Sequence, residues 1–234
     1  MITVIVPASP IKSNPDTSII EETIASVRHH LPAAEIILTF DGVRPEQEHM
    51  RADYEEAIRR ILWMADHSWG NICPFVFDQH LHQVGMMRAV IDEIQTPMLM
   101  YVEHDMPLRV DRDIDLNAVT SFIRAGHSDL VRFYLRDAIP DEHQYLMHGF
   151  DGPFLRTSQW SQNVHISTVE VYRRVLNHFS PKARTFIEDG IHGAVANAPS
   201  DFRLHIYHPE GDIRCLRHLD GRAGEPKYER QLVF

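Results

Sequence analysis

Short apolar runs alternate with helical patterns along the first 135 residues or so of the chain. The apolar runs lie at 2–6, 35–40, 72–77, 98–102 and 130–135, and patterns with apolar residues on one helical face separate them. The first two runs start roughly 30 residues apart, which is the length of a parallel strand–helix–strand unit. This alternation predicts an α/β fold in which helices flank a mostly parallel central sheet.

The same periodicities predict the positions of the helices and of the later strands. Helices are expected from about Pro15 to just before Pro32, then at 46–66, 86–94, 116–125, 167–179 and 190–197, with further strands at 153–155, 162–166 and 202–207. The polar segment 137–152 is expected to be a loop that crosses a ligand cleft. The charged segment 209–234 is expected to be an irregular tail, part of which can act as a lid.

An acidic tripeptide follows the fourth apolar run. Residues 98–102 read as a buried strand, which gives way to Glu103-His104-Asp105 before Pro107 forbids further pairing. Ligands of open α/β sheets sit at the carboxyl ends of strands. Two carboxylates one residue apart can share a hard divalent cation, which in turn holds phosphate oxygens. The alternative is that both acids are solvated loop residues.

The ends of the first two strands carry residues suited to a nucleotide. Pro7, Ala8 and Ser9 follow the first run, and small residues with prolines leave a rigid, exposed backbone that suits a base pocket. Asp41, followed by Gly42, ends the second run and can accept a hydrogen bond from a base N–H or a ribose hydroxyl. A plain strand-to-helix loop and an Asp-Gly turn are the alternatives.

The helix expected at 86–94 begins next to Gly85, and its amino terminus is expected to face a phosphate. Arg88 lies in its first turn and can add a charge-assisted contact. His80 and His82, just before it, are interpreted as structural because no cysteine or acid flanks them at metal-ligand spacing.

Two features of the second half are candidates for acceptor chemistry. Trp160, in a polar stretch, is either a stacking platform for an acceptor or a plug at the core edge. Glu188 and Asp189 open the last expected helix, where the helix dipole alone would favour acids.

Composition limits the compartment and the partners. No apolar run approaches the ~18 residues of a membrane span, and the amino terminus reads as a strand instead of a signal peptide. The two cysteines, Cys73 and Cys215, form neither a zinc motif nor a disulfide framework, which predicts a cytoplasmic location. The formal charge of −10 disfavours binding along a nucleic-acid backbone. The 16 histidines are scattered, so most are interpreted as surface or polar-core residues.

Taken together, these pieces resemble a GT-A glycosyltransferase of the family 2 type, with its Rossmann-like sheet. Four features carry the resemblance, in order: Pro7-Ala8-Ser9, Asp41-Gly42, the strand-end Glu103-His104-Asp105 in place of an acidic DxD motif, and Phe186-Ile-Glu188-Asp189. Three departures stand out: the first acid is Glu, the second strand end has one Asp, and the Gln-x-x-Arg-Trp motif of processive synthases is absent. Single addition is therefore expected over polymerisation.

The resemblance implies one catalytic domain at 1–200, with a nucleotide-sugar half at 1–110, an acceptor half at 111–200, and a strand and tail at 201–234. It implies a metal-dependent, inverting transfer from a nucleotide-diphosphate sugar, by analogy a UDP-sugar. Mn²⁺ or Mg²⁺ would be held by Asp105, with Glu103 and His218. Asp189 would be the general base, with Glu188 or His192 next in line. The remaining residues with an implied role bind the donor nucleotide (Pro7, Ala8, Ser9, Asp41, Gly85, Arg88, Glu103, His104) or the acceptor (Trp160).

The acceptor hydroxyl is left open between a glycan, a lipid carrier, a protein and a nucleic acid. A sugar-phosphate nucleotidyltransferase has a similar sheet but needs a glycine-rich basic loop after the first strand, where this chain has Pro7-Ala-Ser-Pro10 with Lys12 nearby. A metal-dependent hydrolase that uses histidines is disfavoured, because the only H-x-H is His80-Leu-His82. A non-catalytic nucleotide- or carbohydrate-binding module of the same fold is the alternative from a different class.

Overall fold

The computed structural model describes residues 1–198, 201–211 and 213–219. Strands are β1 (Ile2–Ala8), β2 (Glu35–Phe40), β3 (Ile72–Val76), β4 (Met98–Tyr101), β5 (Leu130–Arg132), β6 (Met147–Asp151), β7 (Phe154–Thr157), β8 (His165–Thr168) and β9 (Leu204–Tyr207). Helices are α1 (Ser18–His30), α2 (Arg51–Met64), α3 (His82–Val90), α4 (Leu116–Arg124), α5 (Val169–Leu176) and α6 (Ile187–Asn197). The order confirms the predicted α/β alternation.

One sheet joins every strand of the described residues, in the order β3-β2-β1-β4-β8-β5-β9-β7-β6. The neighbours β3, β2, β1 and β4 are parallel, and β5 and β9 are parallel to each other. Strands β7 and β8 run against their neighbours. The carboxyl ends of β1, β2 and β4 therefore meet at one edge of the sheet, as the sequence predicts.

Alternating side chains of the central strands build a core on each face of the sheet. Val4 and Val6 of β1 pack with α1, α2 and α4 on one face, whereas Ile5 packs with α3, α5 and α6 on the other. The apolar stripe of α1 (Ile20, Ile24 and Val27) is fully or almost fully buried. Since both faces of these strands are covered, their near-continuous apolar sequence has a direct explanation.

Several predicted bounds are wrong in an informative way. Helix α3 begins at His82, several residues before the predicted start near Gly85. The segment expected to be a loop at 137–152 contains a 3₁₀ turn, Asp141–Leu146, and the edge strand β6. Strand β6 escaped prediction because only one of its residues is half-buried and the rest are exposed, so it carries no apolar alternation.

The described part of the tail packs against the segment that follows β4. The Leu219 amide donates to the Asp105 carbonyl at 2.7 Å, and the Arg217 amide donates to the Pro107 carbonyl at 3.0 Å. The side chain of Arg217 also pairs with Glu22 of α1. Residues 213–219 are thus docked beside the acidic tripeptide, while the rest of the predicted lid, 220–234, lies outside the described residues.

Within the described residues, no helix is both long enough and apolar enough to span a membrane. Cys73 is exposed and Cys215 is buried, and neither is joined in a disulfide within the described residues.

Candidate active site

A cavity of about 400 Å³ opens at the carboxyl edge of β1, β2 and β4, beside the start of α3. Seven of the residues predicted to bind donor or metal line it: Pro7, Ala8, Ser9, Asp41, Glu103, His104 and Asp105. It is also lined by Lys12, Arg44, His80, His82, Gln83 and Phe186, which the sequence analysis did not assign to it. The convergence follows from the parallel order of the strands.

Asp105 has one satisfied and one unsatisfied oxygen. Its Oδ2 lies 3.3 Å from Nε2 of His218, in the docked tail. Its Oδ1 is buried without a hydrogen-bond partner among the described residues. Burial by itself raises the pKa of this carboxyl, but the His218 hydrogen bond and the nearby His104 and His218 charges outweigh burial and hold the pKa below its ordinary value. Asp105 is therefore an ionised carboxylate with a free oxygen.

Glu103 is in the opposite electrostatic state. Burial, followed by the charge of Asp105, raises the pKa of its carboxyl to about 8. Its Oε1 accepts a hydrogen bond from Nε2 of Gln83 at 2.8 Å, and Gln83 in turn accepts from the Ile187 amide at 3.2 Å. Gln83 thus links the acidic tripeptide to the start of α6. At neutral pH Glu103 is a neutral acid until a cation arrives to share it.

His104 joins the acidic tripeptide to the first strand. Its carbonyl accepts from Oγ1 of Thr23 at 2.8 Å, and its Nδ1 lies 3.2 Å from the Pro7 carbonyl. The ring Nε2 is buried without a partner among the described residues. This buried nitrogen belongs to a residue that lines the cavity, and an unsatisfied buried polar atom of this kind calls for a ligand or water as its partner.

Asp41 is held by the protein itself. Its Oδ1 accepts from the amides of Gly42 at 2.9 Å and Leu81 at 2.6 Å. Its Oδ2 accepts from the His82 amide at 2.9 Å and lies 2.7 Å from Nδ1 of His80. A carboxylate has about four acceptor sites, so all of them are occupied. The predicted contact from Asp41 to a base or ribose is therefore corrected: this carboxylate anchors the start of α3.

His80 and His82, interpreted from the sequence as structural, both line the cavity. The ring of His82 packs edge-on against Phe186 at 4.2 Å between centroids, and burial lowers its pKa below the ordinary value. An available signal was missed: the H-x-H pair follows β3, at the same sheet edge as Asp41 and Glu103.

Three other predicted residues lie elsewhere. Gly85 is inside α3 and does not line the cavity. The Arg88 guanidinium is bound to the carbonyls of Leu176, Phe179 and Ser180 at 2.5–2.8 Å, so it fastens α3 to α5 and does not face a phosphate. Trp160 is 1% exposed in the core between the sheet and α5, with Nε1 donating to Gln162, so the structure makes it the core plug and not a stacking platform.

Glu188 and Asp189 lie in the first turn of α6, next to the cavity-lining Phe186. Oε2 of Glu188 accepts a hydrogen bond from the Gln162 amide at 2.8 Å, so one oxygen of this carboxylate is already bound by the protein. Asp189 is exposed, and its charge is close enough to act on His82 across the cavity rim. Asp189 is therefore the less engaged of the two acids.

Arg132, at the carboxyl end of β5, was not anticipated. Its side chain is 2% exposed. One guanidinium nitrogen donates to Gln159 at 2.8 Å, while Nε has no partner among the described residues. Burial lowers its pKa to about 10, and the charge of Glu188 opposes that shift. The sequence offered no signal for it, because one Arg at a strand end looks like an ordinary surface residue.

The donor set suits a divalent cation in part. Within the described residues, no three His, Cys, Asp or Glu side chains are already arranged to hold a metal ion. However, the buried free oxygen of Asp105, with Glu103 on one side and His218 on the other, is the kind of incomplete oxygen-rich site that phosphate oxygens and water complete for Mg²⁺ or Mn²⁺. The residues therefore fit the ion.

No protein-family model matches the chain, and no curated protein sequence matches it. Solved structures do. The TarS fragment of S. aureus in complex with UDP-GlcNAc superposes with a TM-score of 0.60 at 12% identity, covering 96% of this chain and 59% of that one. The mannosyltransferase of Pyrobaculum calidifontis in complex with GDP-Man and Mn²⁺ has a TM-score of 0.58 at 15% identity, covering 92% and 55%.

A UDP-glucose pyrophosphorylase complexed with UDP-glucose is also similar, with a TM-score of 0.54 at 11% identity over 89% of this chain and 90% of that one. This chain thus spans less than two thirds of the TarS fragment and of the mannosyltransferase, and nearly all of the pyrophosphorylase. At these identities the likeness concerns the fold alone. The fold predicted from the sequence is confirmed: the chain has a GT-A-type fold, with a mostly parallel central sheet flanked by helices.

Proposed function

We propose that this chain is a glycosyltransferase that moves a sugar from a nucleotide-diphosphate donor, by analogy a UDP-sugar, to an acceptor hydroxyl. The observation that carries the proposal is the buried Oδ1 of Asp105, which has no partner among the described residues and belongs to a side chain that lines a cavity at the carboxyl edge of a GT-A sheet. An uncompensated buried carboxylate oxygen is costly unless a ligand satisfies it. The similar solved structures include enzymes complexed with UDP-GlcNAc and GDP-Man, which supports a nucleotide sugar as that ligand.

The donor would lie along the cavity with its diphosphate at the acidic end. Asp105, Glu103 and His218 would hold Mn²⁺ or Mg²⁺ there, and the bound cation would offset the negative charge that builds on the departing nucleoside diphosphate. Lys12 and Arg44 add positive charge to the lining. Pro7, Ala8 and Ser9 would form the wall beside the nucleotide, and His104 would contribute its Nε2, which has no partner among the described residues.

Asp189 would accept the proton of the acceptor hydroxyl. It is exposed in the first turn of α6, near the cavity-lining Phe186, and among the described residues it has no hydrogen bond like the one between Glu188 and the Gln162 amide. A base that takes the acceptor proton on the face of the sugar opposite the departing diphosphate would give a single, in-line displacement, which inverts the anomeric centre. Acceptor class and cytoplasmic location stay predictions from the sequence.

Ligand-induced thermal stabilisation tests the donor site. The melting temperature is measured with UDP, GDP, CMP and dTDP, each with and without Mn²⁺, because a ligand that binds only the native state raises it by mass action. We expect one diphosphate to stabilise the protein in a metal-dependent way. Nucleotide binding that does not depend on Mn²⁺ and is unchanged in Asp105→Ala would contradict the metal-dependent proposal.

Replacing the base tests the chemistry separately. Asp189→Asn should abolish transfer while leaving nucleotide affinity unchanged, since the carboxylate acts on the acceptor. Glu188→Gln is the matched control on the neighbouring residue and should retain most of the transfer rate. Equal loss of nucleotide binding and transfer in Asp189→Asn would refute its assignment as the base.

Nucleotidyl transfer is a second candidate, because the pyrophosphorylase matches nearly the full length of both chains and Lys12 lines the cavity after β1. The absence of glycine between Pro7 and Lys12 disfavours it. The two reactions are separated by product: a nucleotidyltransferase releases pyrophosphate from a nucleoside triphosphate and a sugar phosphate, whereas a glycosyltransferase releases a nucleoside diphosphate. Binding without either product would identify a non-catalytic module.

A further inference from the structure

The loop between β3 and α3 lies tightly over the end of β2. A Cβ atom on Gly42 would come within 2.3 Å of the Gln79 carbonyl carbon and within 2.6 Å of the His80 amide nitrogen, so only glycine permits this approach. The loop amides of Leu81 and His82 then reach the Asp41 carboxylate. This packing fixes the backbone of His80 relative to the cavity.

The Asp41 contact also fixes the tautomer of His80. Its Nδ1 lies 2.7 Å from Oδ2 of Asp41, and a carboxylate in that position requires the proton to be on Nδ1. In the neutral imidazole, the other nitrogen, Nε2, is then a hydrogen-bond acceptor. No partner for Nε2 is found among the described residues, and the half-buried His80 side chain lines the cavity.

The two ends of the cavity are set apart by the sheet. Asp105 follows β4, whereas His80 is held over the end of β2, with β1 between them. Two inter-strand spacings of about 4.8 Å separate these positions by about 10 Å. A nucleotide whose diphosphate lies at Asp105 can extend its ribose over β1 and bring its base to His80.

We infer that His80 reads the base of the donor nucleotide through Nε2, with Asp41 as the residue that positions it. This inference rests on the proposed function. The Asp41 carboxylate is occupied by its own contacts, so at the end of β2 it is His80 that presents a polar atom to the cavity, whose lining also includes Arg44, Gln47 and His82. The ligand class is a nucleoside diphosphate whose base carries a ring N–H beside a carbonyl: uracil, thymine or guanine.

The chemistry of the acceptor gives a selectivity. Uracil, thymine and guanine offer a ring N–H to Nε2, whereas the corresponding ring nitrogen of cytosine or adenine is itself an acceptor. Two acceptors facing each other in a partly desolvated site leave both unsatisfied, and sites built to satisfy a hydrogen bond reject analogues that cannot form it.

Calorimetric titration with Mn²⁺ tests this with UDP, dTDP, GDP, CDP and ADP. We expect the best of the first three to bind at least about tenfold more tightly than CDP or ADP. His80→Leu should weaken binding of that preferred nucleotide about tenfold and leave the affinity for CDP nearly unchanged. His80→Gln, whose amide both donates and accepts, should instead raise the affinity for CDP and so reduce the difference between the two nucleotides. His49→Leu, an exposed histidine in the 3₁₀ turn before α2, is the matched control and should change nothing.

Asp41→Asn tests the positioning role, with a melting curve to confirm folding. The side-chain amide of the introduced asparagine would donate to Nδ1 of His80, and the proton of the His80 ring would then lie on Nε2. Nε2 would become a donor, so CDP should become the preferred pyrimidine nucleotide. A merely structural role cannot reverse a base preference. Equal weakening of all nucleotides by His80→Leu, or wild-type preference for CDP or ADP, would overturn the inference while leaving the transferase proposal standing. No binding by any nucleotide would overturn both.

Discussion

Asp41 and Asp105 follow strands of the same sheet and line the same cavity, yet their oxygens are satisfied very differently. Asp41 accepts from three backbone amides and from His80. Asp105 has the long contact to His218 on one oxygen and no partner among the described residues on the other. Both side chains are largely buried, so the difference is not one of exposure.

The comparison separates two roles that the sequence cannot distinguish. A buried carboxylate whose acceptor sites are all occupied stabilises the fold. Asp105 instead keeps one buried oxygen without a partner among the described residues, and that oxygen stays unsatisfied until a ligand reaches it. Substitution of Asp41 should therefore act mainly on stability, whereas substitution of Asp105 should act mainly on ligand binding.

The largest expected effect is on stability at Asp41. Asp41→Ala leaves the amides of Leu81 and His82 without their acceptor and removes the partner of His80, so the free energy of unfolding should fall by about 3 to 5 kcal/mol. Urea denaturation measures this directly. Asp41→Asn keeps part of the bonding and should cost less. A loss below about 1 kcal/mol for the alanine variant would show that Asp41 does not anchor the loop.

Glu103 extends the comparison to pH. Its folded pKa of about 8 lies above the ordinary value of 4.5, so its contribution to stability is fully present below the unfolded pKa and is lost as pH rises through about 8. In chelator, the stability of Glu103→Gln should match that of wild type near pH ~4 and exceed it by about 4 kcal/mol near pH ~8, because one pKa unit is 1.36 kcal/mol. Parallel stability curves for the two proteins would contradict the raised pKa.

Asp105→Asn should act mainly on binding. The lowered pKa of Asp105 means that its ionised form is favoured in the folded state. The neutral amide loses the charge that faces His218, so stability should fall slightly, by at most about 1 kcal/mol. Metal-dependent nucleotide binding should weaken about 100-fold, because a neutral amide is a poor ligand for a hard cation. Paired melting and calorimetric measurements test both expectations. A loss of stability as large as that of Asp41→Ala, together with unchanged binding, would reverse the roles assigned to the two aspartates.

The parallel half of the sheet was predictable because its strands are recognisable in the sequence as apolar runs. Residues 2–6 and 98–102 are apolar runs buried on both faces, and the order of the helices between them fixes the parallel crossovers. The edge strand β6, Met147–Asp151, has almost no buried side chain, so its pairing with β7 depends on contacts distant in sequence. Patterns within one segment carry no such information.

The candidate site likewise has a predictable and an unpredictable part. Glu103, His104 and Asp105 were predictable because they follow the end of a strand, and the topology of the sheet alone brings them to the cavity. The sequence could not reveal that Arg88 would be bound by the carbonyls after α5, or that Trp160 would be buried. These outcomes depend on which side chain reaches which partner across the sheet. His80 could have been predicted from its position after β3 at the same sheet edge, but the sequence analysis judged it only by the spacing of metal ligands.

The smallest effect should come from His218, whose Nε2 and the Oδ2 of Asp105 lie 3.3 Å apart. If both atoms face one cation, His218→Ala should weaken Mn²⁺-dependent nucleotide binding about tenfold. The loss should be smaller with Mg²⁺, because imidazole suits transition metals better than hard magnesium. Nucleotide titrations with each metal measure the two losses of affinity and their ratio. An equal loss in both would mean that His218 acts only by holding Asp105, and Asp105 would then face the cation without a nitrogen ligand from the tail.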